Sequence, residues 1–476
     1  MTMNPLAPEW LAHPTDANAL AETVWSAGAR RDPSGELVIG GVSAGELASR
    51  FGTPLYVLDE ADARGRAARV KSAFDDAFAG IGTSVKVYYA GKAFLSTEVA
   101  RWMSAEGLYI DVASGGELAV ALAAGTDAGR LGFHGNNKSR AEIDRAVAAG
   151  IGTIVLDSWI EIERVAQAAE RHGVHQAVRL RVNSGVHAHT HEYLATARED
   201  QKFGIPLTDV PAHVERIRSF ASLDFRGLHS HIGSQIFGAD GFLEAADRLL
   251  SVHAALLEGG EVPELNLGGG FGIAYTAADQ VNPIETIAGA MADAVGAAAV
   301  RLGIPVPVIA IEPGRWIIGP AGTTLYEVGT IKDVTVALEG VSAGSTSGSG
   351  GSAVRKYVSV DGGMSDNARP ALYAADYSAR IANRSSTADA ALVRVAGKHC
   401  ESGDLVVLAE YLPRDVEPGD LLAVPATGAY CWSLASNYNY LGRPPVVAVN
   451  NGEARVIVRG ETEEDLLARD TGVTRA

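Results

Sequence analysis

The sequence has very little cysteine and no long apolar run. Cys400 and Cys431 are its two cysteines among 476 residues, too few for the disulfide framework of a small secreted protein. No apolar run approaches the roughly 20 residues that a membrane-spanning helix needs. The first residues lack the basic and then apolar blocks of a secretory signal. We therefore expect a cytoplasmic protein with no membrane partner.

Positive charge is scarce relative to negative charge. The chain has 40 Lys and Arg residues against 57 Asp and Glu residues, giving a formal net charge of −17. Nucleic acids and anionic membranes carry the same sign and would be repelled. Both are therefore disfavoured as partners, and a small-molecule substrate is expected.

What the sequence does have is a regular alternation of short β-rich runs with amphipathic, Ala-rich segments. Eight such runs, each followed by a segment of helical period, satisfy the arithmetic of a closed eight-stranded βα barrel, so the predicted fold class is α/β. Because a ninth run occurs at 54–59, the sequence does not decide which run forms the first barrel strand. The eight runs are 85–90, 108–113, 131–135, 153–157, 178–183, 225–233, 264–270 and 308–314.

Beyond about residue 320 the helical period fades and Val-rich, Gly-punctuated runs take over, which is typical of a mostly β domain. We expect a barrel over 55–320 and a C-terminal β domain over 321–476. Residues 1–54 are expected to pack on the β domain. The Ser/Gly tract at 341–353 is too polar to pack and is interpreted as a flexible surface insertion.

Barrel active sites lie where the strands end, and unusual polar residues occur at those points in this sequence. Lys92 follows the first of the eight runs, where its amine could form a Schiff base with an aldehyde cofactor, although a lysine there is more often a solvated charge. Gly268–Gly270 follow the seventh run and could cradle a phosphate or simply form a tight turn. Glu312 and Arg315 end the eighth run, and loops seven and eight commonly bind phosphate in barrels.

Two histidines and two carboxylates also fall near predicted strand ends. His229 and His231 both fall on the sixth predicted strand, and we expect one of them to face the barrel axis, although a histidine there is more often a satisfied core residue. Ser234 adds a hydroxyl where that strand meets the mouth. Asp111 and Glu117, after the second strand, also overlook the mouth.

The second domain has its own reactive residue types. Arg369 and Tyr373 lie close together in a turn-rich stretch. Cys400 stands among polar neighbours, which makes a reactive thiol plausible, although a single loop cysteine is more often inert. Tyr430 follows a flexible turn. The alternating His187, His189 and His191 lack a Cys or a second acidic cluster to complete a site, so no metal is expected.

Nine motifs occur in order between about residues 50 and 440, and together they resemble the diaminopimelate decarboxylases, a family of fold-type III pyridoxal-phosphate decarboxylases. The resemblance implies a βα barrel plus a β domain, which agrees with the periodicity. The motifs are YAGKAF, DVASGGE, FHGNNKS, HIGSQ, LGGGFG, EPGR, DGGMSDNARPALY, GKHCESGD and TGAY.

The resemblance also implies roles for individual residues. Lys92 would carry pyridoxal 5'-phosphate, His231 would stack on its ring, and Glu312 would pair with its pyridine nitrogen. Cys400 would be a proton donor that reaches the cofactor from the partner subunit, which implies a homodimer with shared active sites. The implied catalytic residues are Lys92, His231 and Cys400. The implied cofactor contacts are Lys92, His231, Ser234, Gly268, Gly269, Gly270, Glu312, Arg315 and Tyr430.

Charge favours one substrate among those that the family would accept. Arg315 and Arg369 carry guanidinium groups suited to carboxylates, whereas ornithine or lysine would require acidic groups for a distal amine. The expected reaction is decarboxylation of meso-2,6-diaminopimelate to L-lysine and CO2, the last step of lysine biosynthesis. The implied substrate contacts are Arg315, Arg369, Tyr373, Glu401 and Tyr430.

Three alternatives are weighed against this reaction. A decarboxylase of the arginine, ornithine or polyamine type is disfavoured by the paired Arg315 and Arg369, and an amino-acid racemase by the loop of Cys400 and Glu401. A catalytically inactive cofactor-binding regulatory homologue is disfavoured because Lys92, Cys400 and Tyr430 are all present.

Overall fold

The structure is a computed structural model that describes residues 4–186, 202–338 and 352–473. The chain forms two compact units. The barrel unit comprises Arg64–Ile273 and Gln280–Ile318, and the β unit comprises Met1–Ala63, Ala274–Asp279 and Gly319–Ala476. His187, His189, His191 and residues 341–351 of the Ser/Gly tract lie outside the described residues.

The barrel unit contains the predicted closed barrel. Each strand pairs in parallel with the next, and the eighth pairs with the first, so the sheet has no open edge there. The prediction of an eight-stranded βα barrel is confirmed. The barrel strands are Val85–Ala90, Tyr109–Val112, Leu131–Phe133, Thr153–Leu156, Gln176–Asn183, Leu223–His229, Glu264–Asn266 and Val308–Ile311.

The outer helices begin at polar caps and bury an Ala-rich face. Ser96, Ser114 and Ser139 each accept a backbone N–H of the first helical turn, and Ser139 forms a capping box with Glu142. The α-helices are Glu60–Ala79, Thr97–Ala105, Gly115–Ala123, Arg140–Ala148, Trp159–His172, Val210–Arg218, Asp240–Leu257, Ile284–Leu302 and Arg315–Ile318, with 3₁₀ turns at Ala128–Arg130 and Leu207–Asp209 and a short strand at Ile205–Pro206.

The β unit is mostly β, as predicted, and is organised by one long strand, Gly322–Ala337, which pairs along its length with three others. Its strands are Arg30–Arg31, Leu37–Ile39, Val42–Ser43, Leu55–Asp59, Gly322–Ala337, Ser352–Val360, Arg380–Ile381, Ala390–Ala396, Leu405–Pro413, Leu421–Pro425, Val446–Asn450 and Glu453–Val458. Its helices are Ala44–Phe51, Arg369–Tyr373 and Glu463–Leu467, with 3₁₀ turns at Trp432–Leu434 and Tyr438–Tyr440.

The ninth β-rich run belongs to the β unit. All five residues of Leu55–Asp59 are buried, and the strand pairs antiparallel with Gly322–Ala337 and parallel with Val446–Asn450. The barrel unit accordingly begins at Arg64, later than the boundary at 55 expected from the sequence. A fully buried strand has the same continuous apolar sequence in a barrel and in a β domain. The hydrophobic period therefore could not show to which unit this strand belongs.

The N-terminal segment is hydrogen-bonded to the β unit. Arg31 donates to the carbonyl of Ile381 at 2.9 Å, and the N–H of Leu37 donates to the carbonyl of Ala382 at 2.7 Å.

Among the residues that the structure describes, no helix is long and apolar enough to cross a membrane.

Candidate active site

The carboxyl ends of the barrel strands bring polar side chains around one carboxylate. Glu312 follows the eighth strand, and its Oε1 accepts a hydrogen bond from Nδ2 of Asn266 at 2.7 Å. The same oxygen lies 3.0 Å from Nε2 of His229 and 3.5 Å from Nε2 of His134. Asp111 Oδ1 lies 3.0 Å from the same nitrogen of His134. We call these five residues the carboxylate cluster.

The cluster places its negative charge on Glu312. Burial alone would raise the pKa of Glu312, but His229 and His134 outweigh it and hold that pKa well below its ordinary value. Burial, reinforced by the charge of Glu312, raises the pKa of Asp111 well above its usual range. Burial lowers the pKa of His134 to about 4. The cluster therefore concentrates its negative charge on Glu312, which suits a cationic partner.

His134, His229 and Glu312 are also residue types that bind metals, and their ligand atoms lie within 4.8 Å of one another. The two imidazole Nε2 atoms lie 3.5 Å (His134) and 3.0 Å (His229) from Oε1 of Glu312. We interpret the three side chains as a polar group arranged around the Glu312 carboxylate.

The glycine turn after the seventh strand is packed too closely to carry side chains. A Cβ atom would lie 2.4 Å from the carbonyl oxygen of Ser230 at Gly268, 2.1 Å from that of Glu312 at Gly269, and 2.3 Å from that of Gly233 at Gly270. Gly268 and Gly270 also have φ angles of 71° and 113°, which favour glycine. The turn thus holds the loop after the sixth strand against the loop after the eighth.

The sequence predicted that all three glycines bind a phosphate, but two of the amides already donate within the protein. The N–H of Gly268 donates to Oδ1 of Asn266 at 2.8 Å, and the N–H of Gly269 donates to Nδ1 of His231 at 3.2 Å. These hydrogen bonds connect the turn to its neighbours. A phosphate contact from either of these two amides would compete with the hydrogen bond that it already makes.

Both histidines of the sixth strand region belong to the site. His229 and His231 are two residues apart, a spacing that puts side chains on one face of an extended chain, so the expectation that one of the two would face the barrel axis was too narrow. Because Nδ1 of His231 accepts from Gly269, the proton of the neutral ring is on Nε2. Burial, and then the charge of Lys92, lower the pKa of His231 well below its ordinary value. His231 is a neutral ring.

A serine and an arginine lie together beside the glycine turn. Nη2 of Arg315 donates to Oγ of Ser234 at 2.8 Å. Arg315 is buried and begins the short helix Arg315–Ile318. A guanidinium and a hydroxyl held together in this way offer hydrogen-bond donors to an oxyanion.

Lys92 lies in a turn held against the loop after the eighth strand. The N–H of Gly91 donates to the carbonyl of Asp111 at 2.9 Å, and that of Ala90 donates to the carbonyl of Pro313 at 3.2 Å. The Lys92 side chain is exposed. Its charge opposes the rise in the pKa of Asp111 and contributes to the lowering of the pKa of His231. Lys92 therefore lies within electrostatic reach of the carboxylate cluster.

Glu117, the second carboxylate expected at the mouth, forms a hydrogen bond within its own turn. Its Oε2 accepts the N–H of Ala113 at 2.6 Å, which closes the turn between the second strand and its helix. Burial raises its pKa.

Sequence reasoning missed Asn266, His134 and Arg181. Arg181 is half-buried. Its guanidinium lies 4.2 Å from the ring centroid of Phe203, and its charge contributes to the lowered pKa values of His134 and His231. The sequence contained a signal for Arg181, because two arginines, Arg179 and Arg181, stand two residues apart inside a mostly apolar strand. Arg179 is ion-paired with Glu264 at 2.6 Å and is fully buried.

In the β unit, Cys400 lies on an exposed loop. Its backbone N–H donates to Oδ1 of Asn439 at 3.2 Å, and its thiol is free. Glu401 is exposed beside it and accepts the N–H of Gly403 at 3.4 Å. The other cysteine, Cys431, is buried.

Arg369 is buried in an aromatic cage of the same unit. Its Nη1 donates to the hydroxyl of Tyr377 at 2.5 Å, and its guanidinium lies 4.4 Å from the ring centroid of Tyr275. Tyr373 ends the one-turn helix that Arg369 begins. Tyr430 has a φ of 66°, a strained conformation for a tyrosine.

The residues selected from the sequence thus form two groups, one in each unit. The barrel unit contains Lys92, His231, Ser234, Gly268, Gly269, Gly270, Glu312 and Arg315. The β unit contains Arg369, Tyr373, Cys400, Glu401 and Tyr430.

A family comparison, a sequence comparison and a structure comparison all find decarboxylases similar to this chain. Residues 64–319 match the family described as "Pyridoxal-dependent decarboxylase, pyridoxal binding domain". Diaminopimelate decarboxylase of Mycobacterium tuberculosis is 47% identical over 457 residues, covering 94% of this chain and 98% of that protein. The Bacillus subtilis protein of the same name is 44% identical over 445 residues, covering 93% and 96%. The crystal structure of diaminopimelate decarboxylase from M. jannaschii in co-complex with L-lysine has a TM-score of 0.84 and 30% identity, covering 94% of this chain and 98% of that chain.

Proposed function

Because the chain belongs to the diaminopimelate decarboxylase family of pyridoxal-dependent decarboxylases, we propose that it converts meso-2,6-diaminopimelate to L-lysine and CO2 with pyridoxal phosphate. The observation that carries this proposal is the carboxylate cluster, which holds an ionised Glu312 at a barrel mouth that Lys92 reaches electrostatically. This reaction is the last step of lysine biosynthesis.

The residues at the barrel mouth fit the cofactor. Glu312 is ionised and largely buried, so it is suited to a protonated pyridine nitrogen. Side chains at Gly268, Gly269 and Gly270 would collide with backbone carbonyl oxygens of the neighbouring loops, so the turn presents bare backbone. Ser234 and Arg315 supply donors for a phosphate. When bound, the cofactor supplies an electron sink for the electrons released as CO2 leaves.

The chain's own residues have distinct tasks in this proposal. Lys92 provides the amine that anchors the cofactor, and Glu312 keeps the ring nitrogen protonated. His231 presents a neutral ring to the cofactor face, with its orientation fixed by the N–H of Gly269. Cys400 donates a proton after CO2 has left, and its exposed thiol is free to do so.

Carboxylate recognition supports the substrate. Arg369 is a buried guanidinium held by Tyr377 and Tyr275, so its charge is available to a distal carboxylate at little conformational cost. We assign Arg315, Tyr373 and Tyr430 to the same substrate and Glu401 to its distal ammonium. The related M. jannaschii structure is a complex with L-lysine, the expected product.

The direct test measures CO2 release from meso-diaminopimelate, lysine, ornithine and arginine with purified holoenzyme. We expect release from meso-diaminopimelate and less than about 1% of that rate from the other three, because each lacks the distal carboxylate. Equal or faster release from ornithine or arginine would contradict the assignment.

We further propose that the enzyme is a cytoplasmic homodimer in which Cys400 acts in the partner's site. A mixture of Lys92→Ala and Cys400→Ala chains, refolded or exchanged together, should then recover up to about one quarter of wild-type activity, since random pairing makes half of the dimers mixed, each with one intact site. Either variant alone is the control. No recovery in a mixture shown to contain mixed dimers would contradict shared sites.

A further inference from the structure

Cys431 is a buried thiol of the β unit to which the proposed reaction gives no role. Its Sγ lies 3.5 Å from the hydroxyl of Tyr377 and 3.5 Å from Oδ1 of Asn367. Tyr377 and Asn367 are each only 1% exposed, and both are also hydrogen-bonded to Arg369. The thiol therefore connects two hydrogen-bond partners of the same arginine.

The proton positions among these four residues follow from one another. The backbone N–H of Arg369 donates to Oδ1 of Asn367 at 3.4 Å, so the oxygen of this amide faces it. The Cys431 thiol donates to the same oxygen. Because a thiol has one proton, its sulfur accepts from the hydroxyl of Tyr377. The oxygen of that hydroxyl accepts from Nη1 of Arg369 at 2.5 Å, so the hydrogen bonds begin at the Arg369 side chain and close at its backbone.

Arg369 is a buried cation, and no carboxylate in the described part of the chain pairs with its guanidinium. The guanidinium instead lies 4.4 Å from the ring centroid of Tyr275 and 5.5 Å from that of Tyr377. A buried charge without a counter-ion is costly. Such an arrangement is suited to an anionic ligand that supplies the opposite charge.

A guanidinium that binds a carboxylate through two parallel N–H groups has to be aimed, because a small rotation breaks one of the two hydrogen bonds. The hydroxyl of Tyr377 can aim Arg369 only while its own proton points away from the guanidinium. The sulfur of Cys431 is the acceptor that keeps this proton on the far side.

Resting on the proposed function, we infer that Cys431 is a positioning residue for recognition of the distal carboxylate. It acts through Tyr377, whose oxygen it leaves free to accept from Arg369, and through Asn367, which holds the Arg369 backbone. The thiol thus contributes to substrate specificity and not to the chemical step.

The test measures binding of L-lysine to the purified holoenzyme by titration calorimetry. L-lysine, the expected product, retains the carboxylate of the centre that does not react, so its Kd reports on Arg369. Tyr377→Phe removes the acceptor, and we expect the Kd to rise about tenfold. Cys431→Ala should raise it about threefold. Cys431→Ser, which can still accept and donate, should bind more tightly than Cys431→Ala.

Two comparisons separate the aiming of Arg369 from a general loosening of the fold. 1,5-Diaminopentane has the same chain without a carboxylate, so its Kd should be the same in the wild type and in all three variants. In turnover, the variants should raise KM for meso-diaminopimelate and keep kcat within about twofold of the wild type, because the lost interaction is made at the end of the substrate that does not react. Tyr411→Phe, at another buried tyrosine of the β unit, is the matched control and should equal the wild type throughout.

Three results would overturn the inference: an unchanged Kd for L-lysine in Tyr377→Phe or Cys431→Ala, an equal rise in the Kd for 1,5-diaminopentane, or binding by Cys431→Ser no tighter than by Cys431→Ala. Failure of the proposed function is a separate outcome. It would appear as no CO2 release from meso-diaminopimelate by the wild-type holoenzyme, whereas the Kd values are measured without turnover.

Discussion

The barrel unit and the β unit hold their candidate site residues in opposite ways. In the barrel unit, Glu312 is largely buried with its charge stabilised by His229 and Asn266. In the β unit, Cys400 is exposed, and its backbone N–H donates to Asn439. A buried charge requires an opposite charge to enter the site, whereas a neutral donor requires only correct placement. We therefore expect barrel substitutions to affect cofactor binding and rate together, and substitutions of the loop to affect rate alone.

The largest expected effect follows from removing the buried charge. Glu312→Gln keeps the size of the side chain but cannot stabilise a protonated ring nitrogen. We expect turnover to fall by about 10²- to 10³-fold and cofactor to dissociate more readily, as measured by steady-state kinetics and by dialysis followed by absorbance. Glu117→Gln is the control, because Glu117 caps the N–H of Ala113 and should lose much less. Wild-type turnover in Glu312→Gln would contradict the claim that the barrel unit acts through the buried charge of Glu312.

The second effect should appear in rate but not in binding. Cys400→Ala removes the proton donor, so turnover should fall by about 10²-fold while the cofactor content of the purified protein stays at the wild-type level. Ser402→Ala, in the same exposed loop, should retain wild-type turnover. Loss of cofactor in Cys400→Ala would mean that the β unit contributes to binding as well.

The third effect concerns the stability of the β unit and not catalysis. Burial raises the pKa of Asp366 to about 7, against opposing hydrogen bonds from Tyr326 and Gly363. Since the folded state binds this proton more tightly than the unfolded state, the stability it contributes is lost as pH rises from about 4 to about 7, by up to about 4 kcal/mol. Calorimetry at about pH 5 and pH 8 should show this decline, and Asp366→Asn should flatten it. An equal decline in the variant would assign it to another group.

Much of the fold could be predicted because period and strand count are local properties. The eight runs alternate with helical segments, and each run became a barrel strand. The run at 54–59 could not be assigned, because its two partner strands, Gly322–Ala337 and Val446–Asn450, are more than 260 residues away in sequence. Long-range pairing determines its unit, and periodicity does not report on pairing.

The site was predicted less completely for a similar reason. Lys92, Glu312 and Arg315 stand at strand ends, which the sequence marks. His229 and His231 both contribute, His229 beside Glu312 and His231 beside Gly269, and these partners follow other strands. The amide of Gly269 is engaged because His231 faces it, a contact between two loops that spacing does not encode.

The most direct test of the account is the absorption spectrum of the protein purified with pyridoxal phosphate. The wild type should show the visible band of the cofactor bonded to a lysine, Lys92→Ala should lack it, and Lys332→Ala, at an exposed lysine of the β unit, should keep it. A visible band that survives unchanged in Lys92→Ala would contradict the assignment of the barrel mouth as the cofactor site.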